Sequence, residues 1–156
     1  MKKTTLCYVE RDGCWLLLHR TKKKNDLNEG KWVGVGGKFK PGETPEQCLL
    51  REVSEETGLT LTSWTFFGKI RFLSDVWEAE EMYLYTSSSF TGTVCVCDEG
   101  DLEWVPKIHA QSLPMWEGDR IFFDRIRRGE PFEEMTLQYE GDRLVYASVN
   151  GAEIGR

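Results

Sequence analysis

Apolar and polar residues change their spacing several times along the chain, and each change marks an element. Thr4–Glu10 and Cys14–Arg20 are β-rich runs joined by Arg11-Asp12-Gly13, which predicts a hairpin. Residues 21–30 (TKKKNDLNEG) are polar and predict a loop. Lys31–Phe39 is short, apolar and rich in glycine, a strand leading into a glycine loop. Thr44–Thr57 is the clearest helix, and Trp116–Arg128 is a second one, closed by Gly129 and then Pro131. Leu59–Leu73, Glu80–Phe90 and Leu102–Val105 read as strands, and Phe132–Tyr139 with Leu144–Val149 as a closing hairpin over Glu140-Gly141-Asp142. Strands and helices interleaved in this way predict an α/β (α+β) layer fold with a mixed sheet, in a single domain over residues 1–156.

Composition narrows the function. With 40% hydrophobic and 29% charged residues, disordered, collagenous and disulfide-scaffold classes are excluded. The net charge of −6 makes a nucleic-acid polymer or a membrane surface an unexpected partner. The longest purely apolar run, Cys14–Leu18, is far shorter than the ~20 residues a bilayer requires. Lys2 and Lys3 are not followed by an apolar stretch, so no signal peptide is expected. The cysteines at 7, 14, 48, 95 and 97 include no C-x-x-C pair and are expected as reduced thiols in the cytoplasm. Neither His19 nor His109 has ligand spacing to a cysteine, so a zinc site is not expected. Monomer and homodimer are both compatible with this surface.

The first helix carries the chemistry. Thr44 and Gln47 form a capping box, Pro45 sits at the first helical position, and Gly58 supplies a left-handed stop. At about 100° per residue, Glu52, Glu55 and Glu56 share an arc of roughly 100°. Leu50 and Val53 lie on another face, which can pack on a sheet. Two like charges ~6 Å apart repel by about 3 kcal/mol at an effective dielectric near 20. Between Glu43 and Leu59 there are five acids and one base, Arg51, four residues before Glu55 in the weaker orientation for an ion pair. A divalent cation would offset the repulsion; Mg²⁺ prefers hard oxygen ligands and bridges to substrate phosphates. A solvated acidic face is the ordinary reading of REVSEE, but here a glycine loop, Gly36-Gly37, delivers the chain into it. The glycines fit neither G-x-G-x-x-G nor a Walker A loop, where Trp32 stands in place of a glycine.

Gly37, five residues, Glu43, seven residues and then Arg51-Glu52-Val53-Ser54-Glu55-Glu56-Thr57-Gly58-Leu59 fill every specified position of the Nudix box, G-x5-E-x7-R-E-U-x-E-E-x-G-U, with U a bulky aliphatic residue. The chain therefore resembles the Nudix hydrolases. Gly30-Lys31-Trp32, Gly34, Asp98-Glu99 before Trp104, and Met115-Trp116 followed by Asp119 make it similar to the MutT-type branch that hydrolyses oxidised purine nucleoside triphosphates. The resemblance implies a mixed β-sheet sandwiched between helices. It also implies Mg²⁺, with Mn²⁺ as a substitute, held by Glu52, Glu55, Glu56, the Gly36 carbonyl and Glu99. Trp116 and Asp119 would flank the base. Val33 stands where the mammalian members have a base-reading asparagine, and Gly118 where they have a second aspartate.

Between residues 20 and 40 seven bases face two acids, a local positive field that can steer a triphosphate. Arg20 and Lys38, which abut core elements, are the expected phosphate ligands rather than Lys22–Lys24. Thr5, Val33 and Gly37 complete the expected substrate-binding set. Glu56 or Glu52 would take the proton of the attacking water, Arg51 would orient a neighbouring glutamate, and Glu43 would brace the loop or join a second metal site. The expected products are nucleoside monophosphate and pyrophosphate, from 8-oxo-dGTP or a related nucleotide. Alternatives are a plain dNTP, ADP-ribose, a dinucleoside polyphosphate, or a non-catalytic nucleotide-sensing module.

Overall fold

The computed structural model describes residues 1–21, 28–95 and 100–154. Among the described residues nine strands form one mixed sheet: β1 Lys2–Arg11, β2 Cys14–His19, β3 Trp32–Val33, β4 Thr60–Ser74, β5 Glu80–Thr91, β6 Asp101–Pro106, β7 Glu134–Glu140, β8 Arg143–Val149 and β9 Ala152–Glu153. The helices are α1 Pro45–Thr57, α2 Lys107–Ala110 and α3 Glu117–Arg128. The strand order is β3-β2-β1-β5-β4-β7-β8-β9, with β6 on the other side of β2. β1 runs parallel to β5 and β4 parallel to β7, while the remaining pairs are antiparallel.

The sheet is covered on both faces. Leu49 and Val53 of α1 join Cys7, Val9, Leu16 and Tyr85 in one core. Ala110 of α2 and Phe122, Phe123 and Ile126 of α3 join Tyr8, Leu17, Ile70 and Leu137 in the other. Strand residues alternate between the two cores, since neighbouring side chains point to opposite faces. This is the layered α+β architecture expected from the sequence.

Local signals are realised closely. The hairpin turns at Asp12 and Gly13, both with positive φ (51° and 75°), as a two-residue turn joining twisted strands requires. Both capping-box bonds are present in α1, and Gly58 ends the helix at φ 81°. Gly129 ends α3 in the same conformation.

Three expectations are corrected. The strand expected over Lys31–Phe39 is only Trp32–Val33. Beyond it the chain pairs with β1 through Cys7–Val35 and Thr4–Lys38 bridges, because at Leu16, Trp15 and Cys14 β2 is paired with β1 instead. The Lys107–Ala110 turn of helix and the Ala152–Glu153 strand were not anticipated; both are too short to show a period. The acidic face of α1 is not wholly separate from its core face: Glu56 is buried, Glu52 is half-buried and Glu55 is exposed.

Candidate active site

The glycine segment and α1 meet at the edge of β1. Thr5 donates its N–H to the Gly37 carbonyl at 2.9 Å, and Cys7 exchanges two backbone hydrogen bonds with Val35. A Cβ on Gly36 would overlap the Thr5 carbonyl, so only glycine lets the segment lie this close. A Cβ on Gly37 would stand 2.5 Å from the Glu52 carboxylate, which therefore rests against bare backbone. The Gly36 N–H donates to Glu56 Oε1 at 2.7 Å, tying the loop to the helix.

Arg51 organises the rest. Its guanidinium donates to both oxygens of Glu43 (2.6 and 2.9 Å), to Glu52 Oε1 (2.7 Å), to Glu55 Oε2 (3.1 Å) and to the Lys38 carbonyl (3.0 Å). The side chain is only 19% exposed. The expectation that Arg51 makes one weak exposed pair with Glu55 is thereby corrected: its main partner is Glu43, in the bidentate geometry that a planar guanidinium favours. Glu43 also accepts from the Lys40 N–H at 2.8 Å. The Arg51 hydrogen bonds, followed by that backbone bond, hold the Glu43 carboxyl low, at about 2.

Glu52, Glu55 and Glu56 line one wall of a cavity of about 540 Å³, together with Gly36, Gly37, Lys38, Thr5, Arg20, Val33, Trp116 and Asp119. That volume suits a small-molecule ligand. Glu43 and Arg51 stand behind the wall. Glu99 and Lys22–Lys24 lie outside the described residues. The donors on this wall are hard oxygens, the kind Mg²⁺ or Mn²⁺ takes, and Gly37 leaves room for one of them. Among the described residues no three such side chains already converge on one point. Arg51 binds two of the three carboxylates instead.

The other end of the cavity is aromatic. Trp116 is buried; its indole N–H donates to Asn28 Oδ1 at 2.7 Å, and the Lys31 ammonium lies 4.5 Å from its ring centroid. Phe72 and Tyr139 meet the indole edge-on, at 5.7 and 4.8 Å. Asp119 sits on the buried stripe of α3 with Gly118, Phe122, Phe123 and Ile126. Burial pushes its carboxyl up to about 7, against the lowering effect of Lys31 and Arg120 and with a further rise from Glu80. Gly118 has a packing reason: its N–H donates to the Tyr139 hydroxyl at 2.7 Å, and a Cβ there would lie 2.6 Å from both that oxygen and a Leu137 methyl. Asn28, Phe72, Glu80 and Tyr139 were not singled out from the sequence. They belong to distant segments, and nothing in their local pattern marks them.

Fold and site together set a carboxylate wall at one end of the cavity and an apolar, acid-tipped pocket at the other. A NUDIX domain model matches residues 2–126, and the chain belongs to that family. It is 33% identical over 133 residues to the oxidized purine nucleoside triphosphate hydrolase of Danio rerio, covering 84% of this chain and 83% of that one. It is 28% identical over 144 residues to the Nudix hydrolase YvcI of Bacillus subtilis, covering 89% and 87%. The MutT crystal structure from Bacillus halodurans superposes with a TM-score of 0.86 at 26% identity, over 96% of this chain and 98% of that one. No helix among the described residues is long and apolar enough to cross a membrane.

Proposed function

We propose that this protein hydrolyses nucleoside triphosphates to nucleoside monophosphate and pyrophosphate, and that oxidised purine nucleotides such as 8-oxo-dGTP are its preferred substrates. The observation that carries this reading is one cavity joining the carboxylate wall of α1 to the Trp116–Asp119 pocket. The likeness to the Danio rerio oxidized purine nucleoside triphosphate hydrolase supports it.

Glu52, Glu55 and Glu56, with the Gly36 carbonyl and Glu99, are the residues that would hold Mg²⁺ or Mn²⁺; a divalent ion bound there neutralises phosphate charge and acidifies water. Arg20 and Lys38 bind phosphate oxygens, while Thr5, Val33 and Gly37 shape the cavity between phosphate and base. Glu56 accepts the proton of the attacking water, its orientation fixed by the Gly36 N–H. Water adds to the inner phosphorus and the P–O bond to pyrophosphate breaks. Arg51 positions Glu52 and, through Glu43, braces the 38–43 loop. Trp116 flanks the base. Asp119, whose carboxyl burial pushes up to about 7, donates to a purine carbonyl in its protonated form.

Initial rates on a panel of normal and oxidised nucleoside triphosphates, ADP-ribose and a dinucleoside polyphosphate test the assignment. Pyrophosphate release with higher kcat/KM on 8-oxo-dGTP than on dGTP is the expected result. Faster turnover of ADP-ribose than of any triphosphate would refute it.

A further inference from the structure

The floor of the base pocket is one row across four strands. Lys2 of β1 pairs with Glu80 of β5, Glu80 with Phe72 of β4, and Phe72 with Leu137 of β7. All four line the cavity. Glu80 is buried, at 8% exposure, in a row that is otherwise apolar toward α3. Its Oε1 lies 3.0 Å from the Lys2 ammonium, and its Oε2 accepts from the Thr4 hydroxyl at 3.2 Å. An ion pair of this kind, half-buried at Lys2 and buried at Glu80, adds little net stability over well-packed apolar residues, so packing alone does not account for it. A carboxylate offers about four lone-pair sites. The protein uses one on each oxygen, and the remainder can face a ligand in the cavity.

Asp119 and Glu80 are two acids at one end of one cavity with opposite surroundings. Among the described residues Asp119 has no ion-pair partner, whereas Lys2 stands directly on Glu80. A carboxylate held by an ammonium and a hydroxyl is set to accept further hydrogen bonds, while a buried acid without such partners can donate one. Resting on the nucleotide reading above, we infer that Glu80, held by Lys2 and Thr4, selects 2-amino-6-oxopurine bases. Its carboxylate accepts from the adjacent imino and amino N–H groups of a guanine-type edge, while Asp119 donates to a base carbonyl. An adenine-type edge presents a ring-nitrogen lone pair where the imino N–H would be. That leaves a buried carboxylate facing an acceptor, the mismatch that discriminating sites exploit.

The test is steady-state kinetics of Glu80→Gln and Lys2→Met on dGTP, 8-oxo-dGTP and dATP. A hydrogen bond to a charged group is worth about 1.5–3 kcal/mol, so Glu80→Gln should lower the guanine-over-adenine ratio of kcat/KM roughly ten- to hundredfold, through the KM of the guanine nucleotides. Lys2→Met, which keeps the carboxylate and removes its cation, should shift the ratio the same way by less. A structural role would lower both bases together, and an unchanged ratio in folded Glu80→Gln overturns the inference. If Glu80→Gln does not fold, the Lys2→Met ratio decides in the same manner. Should the wild type hydrolyse no triphosphate at all, the proposed function fails by itself. Calorimetry with the α,β-methylene analogues of dGTP and dATP then decides the base selection separately: equal affinities reject it.

Discussion

A single acid placed in an apolar stripe is the most informative residue in the pocket. Asp119 shares the buried side of α3 with Phe122, Phe123 and Ile126, and burial dominates its raised carboxyl. The consequence for stability has a definite sign. A carboxyl whose folded value is about 7, against about 3.9 unfolded, stabilises the fold fully below pH ~4 and loses that contribution as pH rises through ~7. Relative to Asp119→Asn, the wild type should therefore lose on the order of 2–4 kcal/mol of unfolding free energy between pH 4 and pH 8. Urea titrations of the two proteins at four pH values measure this; parallel curves would show that the carboxyl is not buried as described. Glu56 is the second decisive residue. Glu56→Gln retains an oxygen for the Gly36 N–H but cannot take a proton, so the fold should persist while kcat falls about 10²–10⁴-fold. Undiminished turnover of a good substrate would remove Glu56 from the role of base.

At the scale of the element, α1 and the glycine segment act as one unit because Arg51 bonds to both. Its contacts with Glu43 and the Lys38 carbonyl reach into the loop, and those with Glu52 and Glu55 run along the helix. Lysine carries one point charge and cannot reproduce this fork. Arg51→Lys should cost about 1–3 kcal/mol of stability, since part-buried acceptors lose their donors. It should also raise the Glu43 carboxyl from about 2 toward its ordinary range, visible in a carboxyl NMR titration. Gly37→Ala tests the other side of the unit. The added methyl meets the Glu52 carboxylate at 2.5 Å, so activity should drop at least tenfold with little change in Tm. Wild-type activity in Gly37→Ala would mean that Glu52 can move without consequence.

For the whole molecule, the repulsion among the α1 acids is met within the protein itself as well as by any ion. Arg51 bonds to three carboxylates, and Glu56 is tied to backbone. Chelation with EDTA should therefore abolish hydrolysis, reversibly on adding Mg²⁺ or Mn²⁺, while leaving Tm within a few degrees. A cooperative unfolding on chelation would instead make the ion part of the fold. Helical spacing by itself brings Arg51 only to Glu55 and so leaves most of the offset to a cation. The bonds from Arg51 to Glu43 and to the Lys38 carbonyl in the preceding loop are tertiary facts that no helical wheel contains.

What the residues by themselves determined is everything with a short reach. The capping box at Thr44, the stop at Gly58, the shared arc of Glu52, Glu55 and Glu56 and the box spacing all follow from i to i+4 geometry and fixed loop length. The Asp12-Gly13 hairpin and the α3 stop at Gly129 are local for the same reason. The tertiary structure alone decided the base end of the cavity. Lys2, Glu80, Phe72 and Leu137 become neighbours only through two parallel pairings and one antiparallel pairing across 135 residues of chain, and Trp116 reaches Asn28 over a separation of 88. Strand alternation places each of these side chains on a face, but which strands lie side by side, and in what register, is settled by how two cores close around one sheet.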